Sequence, residues 1–366
     1  MQLVFLLNKV SSFNFGCKGT TNFWNMQKNT KNICGDRKKS VSLQRKMRFK
    51  LLFIGCLMGF SVLYAEDLQV VSYNVENLFH PKHDSVLVDS TWVEKNDLEW
   101  TPEGDRHWSY ARYYRKVENI ARVLTNIGEW EGVDIVGLQE IENALCVKRL
   151  CYTLRRNEYD FVHYESPDRR GIDVALIYKK SRVDTIHTKA LNVALGNETT
   201  RDILYVCAKV DKRDTVHFFV CHLPSQRGGK AESEWKREAS KEVMERALDS
   251  VFGVYPDAKI IVMGDMNANE LSLKGLKDKL AESQKPRAVR QQGTHKYRGQ
   301  WKYLDHFYVS ASIDSLSHAQ VYDAEWIQET DDKFMGLRPK RTYNGFQYQN
   351  GYSDHLPIVL RLGIKN

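Results

Sequence analysis

Short apolar runs recur along this chain, and many of them stop at a carboxylate, amide or imidazole residue. Leu68 to Asn74 leads into Glu76, in SYNVENLF (72–79). Val133 to Gln139 leads into Glu140, in GLQEIEN (137–143). A run over 216–223 carries His222, in FFVCHLPSQRGG (218–229). Lys259 to Gly264 precedes Asp265 and Asn267, in VMGDMNAN (262–269). Asp305 lies in YLDHFYVS (303–310), and Asp354 and His355 precede a last run over 357–362, in GYSDHLPIVL (351–360). Runs of this length, rich in β-branched and aromatic residues, predict strands. Further strands are predicted over 160–164, 172–179, 183–193 and 203–210. Helices are predicted over 111–127, from the spacing of Val117, Ile120, Val123, Leu124 and Ile127, and over 144–155 and 231–252. Strands outnumber helices and several follow one another directly. That pattern predicts an α+β fold of two packed sheets with helices outside, and argues against a doubly wound parallel sheet.

A chain of 366 residues with 42% hydrophobic and 27% charged residues is globular. Its net charge of +8 is misleading. Residues 1–50 alone carry a net +10, so the remainder is slightly acidic, at −2. Charge therefore gives no evidence that the folded part binds nucleic acid. Met47 to Lys50 is basic, Leu51 to Leu63 is apolar, and Tyr64-Ala65 precedes the first acids. This is the layout of a secretory signal peptide, and it is shorter than the roughly 20 residues that a membrane span needs. Residues 47–65 are expected to be cleaved after Ala65, giving a secreted or periplasmic protein. Lipidation at Cys56 fits less well. Residues 1–46 read as an upstream extension outside any domain, and 66–366 as one domain. Four of the seven cysteines follow Ala65. Cys207 and Cys221 lie in successive strands and could pair, but all four, Cys146 and Cys151 included, read best as small buried apolar residues.

Taken singly, each strand-end residue reads as a turn, cap or hydrogen-bonding residue. Taken in order, as Asn and Glu, Gln-Glu, His, Asp-x-Asn, Asp and Asp-His, the set resembles the endonuclease/exonuclease/phosphatase superfamily over about residues 67–363. GDMNAN and SDHLP, following SYNVEN and GLQE, carry the resemblance. It implies a four-layer α/β/β/α sandwich of two mainly antiparallel sheets flanked by helices, a deoxyribonuclease I-like fold, with a Mg2+-dependent phosphoesterase site at the strand ends. Mn2+ or Ca2+ would be substitutes. A hard cation neutralises the charge that protects a phosphodiester, and it prefers oxygen ligands.

The resemblance also implies roles. Glu140 is the first metal ligand, with Glu76 and Asp354 near the metal. Asn74 steadies Glu140 or contacts the substrate. Asp265 orients or deprotonates the attacking water, and Asn267 holds a phosphate oxygen. His355 and Asp305 form an imidazole–carboxylate dyad. His222 is a phosphate contact or a leaving-group acid. Arg170, before Gly171, and Arg227, in the loop after His222, are candidate substrate contacts. Arg112 and Lys116 read as a solvated helix face or as phosphate contacts. Asp173 reads as structural, paired with an arginine. The stretch 285–302 mixes bases and aromatics, as a stacking surface or a surface loop.

The leading expectation is a secreted, monomeric, metal-dependent endonuclease without a stable protein partner. The alternative keeps the chemistry but changes the substrate to a phospholipid, as in a sphingomyelinase, or to a phosphorylated small molecule. Lys302-Tyr303-Leu304-Asp305-His306 departs from the Pro-Trp-x-Asp-Arg segment of inositol 5-phosphatases. A non-catalytic binding module predicts decay of the polar set, and every member is present.

Overall fold

The computed structural model describes residues 67–88, 91–155, 157–226, 229–269, 280–282, 293–313 and 318–362. The expected extension and signal peptide (1–65), Cys56 and Arg227 lie outside these residues.

Two helical crossovers organise the sheets. Strand β1 (Leu68–Leu78) leads through helix α1 (Tyr110–Gly128) into β2 (Ile135–Ile141), which lies parallel beside it. Helix α2 (Ala144–Arg155) and strands β3 (Tyr159–His163) and β4 (Asp173–Lys179) follow. Strands β5 (Val183–Leu191), β6 (Ile203–Val210) and β7 (Asp214–His222) form a meander. Helix α3 (Lys230–Val254) then carries the chain to β8 (Lys259–Asp265), parallel to β7. Strands β9 (Leu280–Glu282), β10 (Asp305–Ser310), β11 (His318–Val321) and β12 (Ile358–Leu362) complete two six-stranded sheets. Their orders are β11-β12-β1-β2-β4-β3 and β9-β10-β8-β7-β6-β5. A parallel pair needs a crossover, whereas antiparallel neighbours join by short turns. Each sheet holds one parallel pair and is otherwise antiparallel, as expected.

Alternation along the strands sorts side chains between two cores. Phe218 and Val220 of β7, Ile261 and Met263 of β8 and Phe307 of β10 belong to the core that includes the first sheet. Their neighbours Phe219, Cys221, Ile260, Val262 and Tyr308 pack with Met244, Leu248 and Phe252 of α3. The same parity turns His222, Asp265 and Asp305 toward the first sheet. A Cβ at Gly137 in β2 would lie 2.8 Å from the Met263 sulfur, so the facing sheets meet closely there. Gly264 is required by its backbone: φ is +142° and a Cβ would lie 1.9 Å from the Cys221 carbonyl oxygen.

Helix α1 buries Tyr113, Val117, Ile120, Leu124 and Ile127, and the Ser109 side chain caps it by accepting from the Arg112 amide. Helix α2 and strand β6 match their expected bounds. Between β1 and α1 the chain forms a hairpin, Ser85–Val88 with Thr91–Glu94, and a short turn of helix at Leu98–Trp100. The four cysteines are buried free thiols. Cys207 sits opposite His217, and Cys221 packs against the Met244 sulfur at 3.9 Å, so no bridge joins them.

A buried ion pair ties the sheets together at one rim. Asp168, between β3 and β4, accepts from Arg201 Nη1 at 2.9 Å. Arg201 also donates through Nε and Nη2 to the His222 carbonyl, at 3.1 and 2.9 Å, and through Nη2 to the Leu223 carbonyl at 2.9 Å. Burial alone would raise the Asp168 pKa, but Arg201 and Arg170 overcome it and hold the carboxyl below its usual value. An acid depressed in this way stabilises the fold above its unfolded pKa, and the contribution is lost as pH falls through the folded value. Removing one partner of a buried pair costs about 3–5 kcal/mol. Arg201→Met is therefore expected to lose about that much in urea unfolding at pH 7. The gap to wild type should narrow toward pH 4, because the stranded Asp168 then gains a proton. A gap independent of pH would contradict the account.

Candidate active site

The parallel crossovers deliver strand C-termini to one rim, in register. Asn74 lies opposite Gln139, and Asp265 lies between His222 and Asp305. The loop before β12 brings Asp354 and His355 to the same place. Ladder pairing breaks here, with register shifts after Asn74 and around Gln139 and Ile141. Glu76, Asn77, Glu140 and Asn267 adopt positive φ, between 49° and 65°. Non-glycine residues rarely do so, and such strain collects where side chains must be aimed. At Glu140 the bend matters most, because a continued β2 would send its side chain away from the facing sheet.

Asp265 is the centre of the site. Its Oδ2 accepts from Asn74 Nδ2 at 3.1 Å, and its Oδ1 accepts from the Asn267 amide at 2.9 Å. His222 Nε2 is 3.6 Å and His355 Nε2 3.8 Å from Oδ2. His355 Nδ1 is 2.7 Å from Asp305 Oδ2, so the expected dyad is formed. Burial drives the Asp265 pKa up, the Asp305 and Glu140 carboxylates add to the rise, and His355 opposes it. The two histidines are pushed apart. Burial, Arg201, Arg170 and His355 all lower the pKa of His222. Burial works against charge on His355 too, but Asp305, Asp265 and Asp354 outweigh it and raise its pKa well above the usual value. The two imidazoles beside Asp265 are thus driven apart, His222 toward its neutral form and His355 toward its charged form.

Three more carboxylates approach from the first sheet and its loops. Glu140 Oε2 accepts from the Asn77 amide at 2.9 Å, and Oε1 faces His222 Nε2 at 3.9 Å. Glu76 accepts from the Thr342 amide at 2.6 Å, with Lys116 Nζ at 4.0 Å. Asp354 Oδ2 accepts from Arg341 Nη2 at 3.0 Å. Glu76 is pushed up to about 7, first by burial and then by Asp354, with Lys116 opposing. Like charges crowd here, and the donors are hard oxygens. A divalent cation among Glu140, Glu76 and Asp354 would relieve that repulsion, so the residues fit one. Two sets of metal-ligating side chains converge among the described residues: Asp265, Asp305 and His355 at this site, and His163, Glu165 and Asp173 elsewhere. There Lys95 Nζ already lies 2.5 Å from Glu165 Oε2 and supplies the positive charge.

Several expectations change. Asn74 does not steady Glu140. Its amide bridges Asp265 and the Glu76 backbone, donating to the first and accepting from the second at 3.0 Å, and it is 1% exposed. It positions the site from within the protein rather than from the substrate side. One Asn267 N–H is engaged by the Leu223 carbonyl at 2.8 Å. Arg170 is partly exposed beside Asp168, at 3.6 Å, near enough to press on His222. Asp173 pairs with Ser166 and lies 3.3 Å from His163 Nε2, with no arginine among these partners. Arg112 donates to the Arg106 and His107 carbonyls. Lys116 is neither solvated nor a phosphate contact. It is buried, donating to Thr342 Oγ1 and the Tyr352 carbonyl at 2.5 and 2.6 Å. The signal was there: position 116 lies three residues after Tyr113 and four before Ile120, on the buried stripe of α1.

His295 escaped the sequence reading. Its ring lies against His355 with centroids 4.7 Å apart, and its Nε2 is 3.9 Å from Asp354 Oδ2. Burial and His355 hold its pKa down to about 4, so it is a neutral support for the charged ring. Thr342 and Arg341 came from a stretch that reads only as polar. Asn74→Ala would strand the buried Glu76 amide and weaken the hold on Asp265. Leaving such groups unsatisfied costs about 1–3 kcal/mol, which urea unfolding should show. A variant as stable as wild type would remove Asn74 from the framework.

No curated protein matches the sequence. Among solved structures, an endonuclease/exonuclease/phosphatase family protein from Bacteroides thetaiotaomicron superposes with a TM-score of 0.53 at 16% identity, covering 81% of this chain and 97% of its own. A truncated Caenorhabditis elegans TDP2 gives 0.53 at 14% identity, covering 81% and 98%. A mannosyl-6-phosphatase from Bacteroides thetaiotaomicron gives 0.52 at 16% identity, covering 81% and 100%. At such identities these likenesses establish the sandwich fold. The model of the Endonuclease/Exonuclease/phosphatase family matches residues 69–363. The chain belongs to the endonuclease/exonuclease/phosphatase family and is a metal-dependent phosphoric ester hydrolase.

Proposed function

We propose that the protein hydrolyses phosphodiester bonds by in-line attack of water, with nucleic acid as the leading substrate and Mg2+ as the metal. The observation that carries this reading is Asp265, a buried carboxylate of raised pKa held by Asn74 and the Asn267 amide between two histidines. Such a group is poised to orient a water and take its proton. The charged His355, oriented by Asp305, stabilises the negative charge that builds on the phosphoryl oxygens. The neutral His222 on the opposite side donates to a phosphoryl or leaving oxygen. Asn267 Nδ2 keeps its second N–H to donate to the same group. Glu140, Glu76 and Asp354 would hold the metal, with Glu140 the most available of the three. When bound, the metal neutralises phosphate charge and stabilises the leaving oxygen. Export through the 47–65 segment belongs to the same reading.

A second reading has specific support. The mannosyl-6-phosphatase aligns over its whole length, and the slightly acidic mature chain lacks the broad positive charge of a nucleic-acid surface. In that reading the substrate is a phosphorylated small molecule.

The test is a panel of plasmid DNA, single-stranded DNA, RNA, sphingomyelin, sugar phosphates and bis-p-nitrophenyl phosphate. Cleavage should require Mg2+ or Mn2+ and stop with EDTA. Asp265→Asn and His355→Ala should each lower kcat by roughly 10²–10⁴-fold. Glu140→Gln should raise the Mg2+ concentration needed for half-maximal rate. Hydrolysis of sugar phosphates with nucleic acid untouched would select the second reading. Activity that survives EDTA, or an active Asp265→Asn, would sink both.

A further inference from the structure

A cavity of about 400 Å3 lies beside the backbone that carries His222. Its wall is built on the catalytic rim itself. Arg201 grips the His222 and Leu223 carbonyls, and Pro224 and Ser225, the next two residues, line the cavity. Four basic side chains, Arg169, Arg170, Arg201 and Lys236, face two acidic ones, Asp168 and Glu198. Glu198 is taken by Lys236. Asp168 gives its Oδ2 to Arg201, leaving Arg170 only an Nε contact at 3.6 Å to the other oxygen. One carboxylate therefore serves two guanidiniums, and a guanidinium has five donors. Arg170 keeps most of its donors, with 40% of its side chain exposed, and Arg169 is exposed beside it.

A second feature points the same way. Thr200 lines this cavity, and its buried hydroxyl has no hydrogen-bond partner among the described residues. Buried polar groups are normally satisfied, so an orphan hydroxyl on a lining residue leaves a hydrogen-bonding capacity unused next to the cavity. Among the described residues the lining has no aromatic side chain on which a base could stack. Excess positive charge, guanidinium forks and hydroxyls suit a phosphate.

We propose that this cavity binds a second phosphate carried by the substrate next to the scissile group. The inference rests on the phosphoesterase reading above. The same chemistry serves two sources: the adjoining phosphate of a nucleic-acid strand, or the second phosphate of a small bisphosphorylated molecule.

The experiment uses the full-length protein and two substrate pairs that differ by one phosphate. One pair is thymidylyl-thymidine with and without a 5′-phosphate. The other is a hexose 6-phosphate and the hexose 1,6-bisphosphate. In at least one pair, kcat/KM is expected to favour the doubly phosphorylated member by about tenfold or more, mainly through KM. Arg170→Gln and Arg169→Gln should each cut that preference severalfold, with melting temperatures near wild type. The pair that shows the preference identifies the source. Three outcomes overturn the proposal. The first is no preference in either pair. The second is a preference that survives both substitutions. The third is an equal loss on both members in Arg170→Gln, which would put Arg170 on the scissile phosphate. Bis-p-nitrophenyl phosphate, with a single phosphate, keeps the two claims separate. If it is hydrolysed while the preference is absent, only the second-phosphate site fails. If nothing is hydrolysed, both claims fail.

Discussion

The hydrogen bond from Asn74 to Asp265 joins the two sheets at the point where the chemistry is placed. Asn74 ends the regular part of β1 in one sheet, and Asp265 ends β8 in the other. The bond forms because the facing strands come close, with Gly137 against Met263. It forms in register because both strand ends point the same way along one rim. A second tie, Asp168 to Arg201, holds the rim from the opposite side and fixes the backbone of His222. Core packing sets the spacing of the sheets, and the two ties fix the catalytic side chains across it.

Those ties allow an arrangement that costs folding energy. Charged and polar groups are buried together at the end of an apolar core, and four strand-end residues carry backbone conformations that side chains disfavour. The charges are compensated in sets. Asp305 pays for the charge on His355, Lys116 and two backbone amides hold Glu76, and Arg341 holds Asp354. The histidines illustrate the result. They lie on either side of one carboxylate, yet burial and two arginines push one toward its neutral form while carboxylates hold the other in its charged form.

Much of this was legible in the residues. Alternation along β7, β8 and β10 predicted strands and places His222, Asp265 and Asp305 on one face. The apolar spacing of α1 predicted its helix within a residue or two at each end. Lys116 was misjudged because lysine on a helix usually points to water, although its position on the buried stripe said otherwise. His295, Thr342 and Arg341 were illegible for a different reason. They lie in irregular or short-stranded segments with no periodicity, and their importance comes only from what they touch.

The sequence by itself determined the elements, their order, and the kinds of side chain at each strand end, because strand and helix periods and turn chemistry are local. Only the tertiary structure decided which strand ends share a rim, which asparagine holds which carboxylate, and which histidine carries charge. Those outcomes depend on distances between residues as far apart in sequence as Asn74 and Asp265, and on burial that no local pattern encodes.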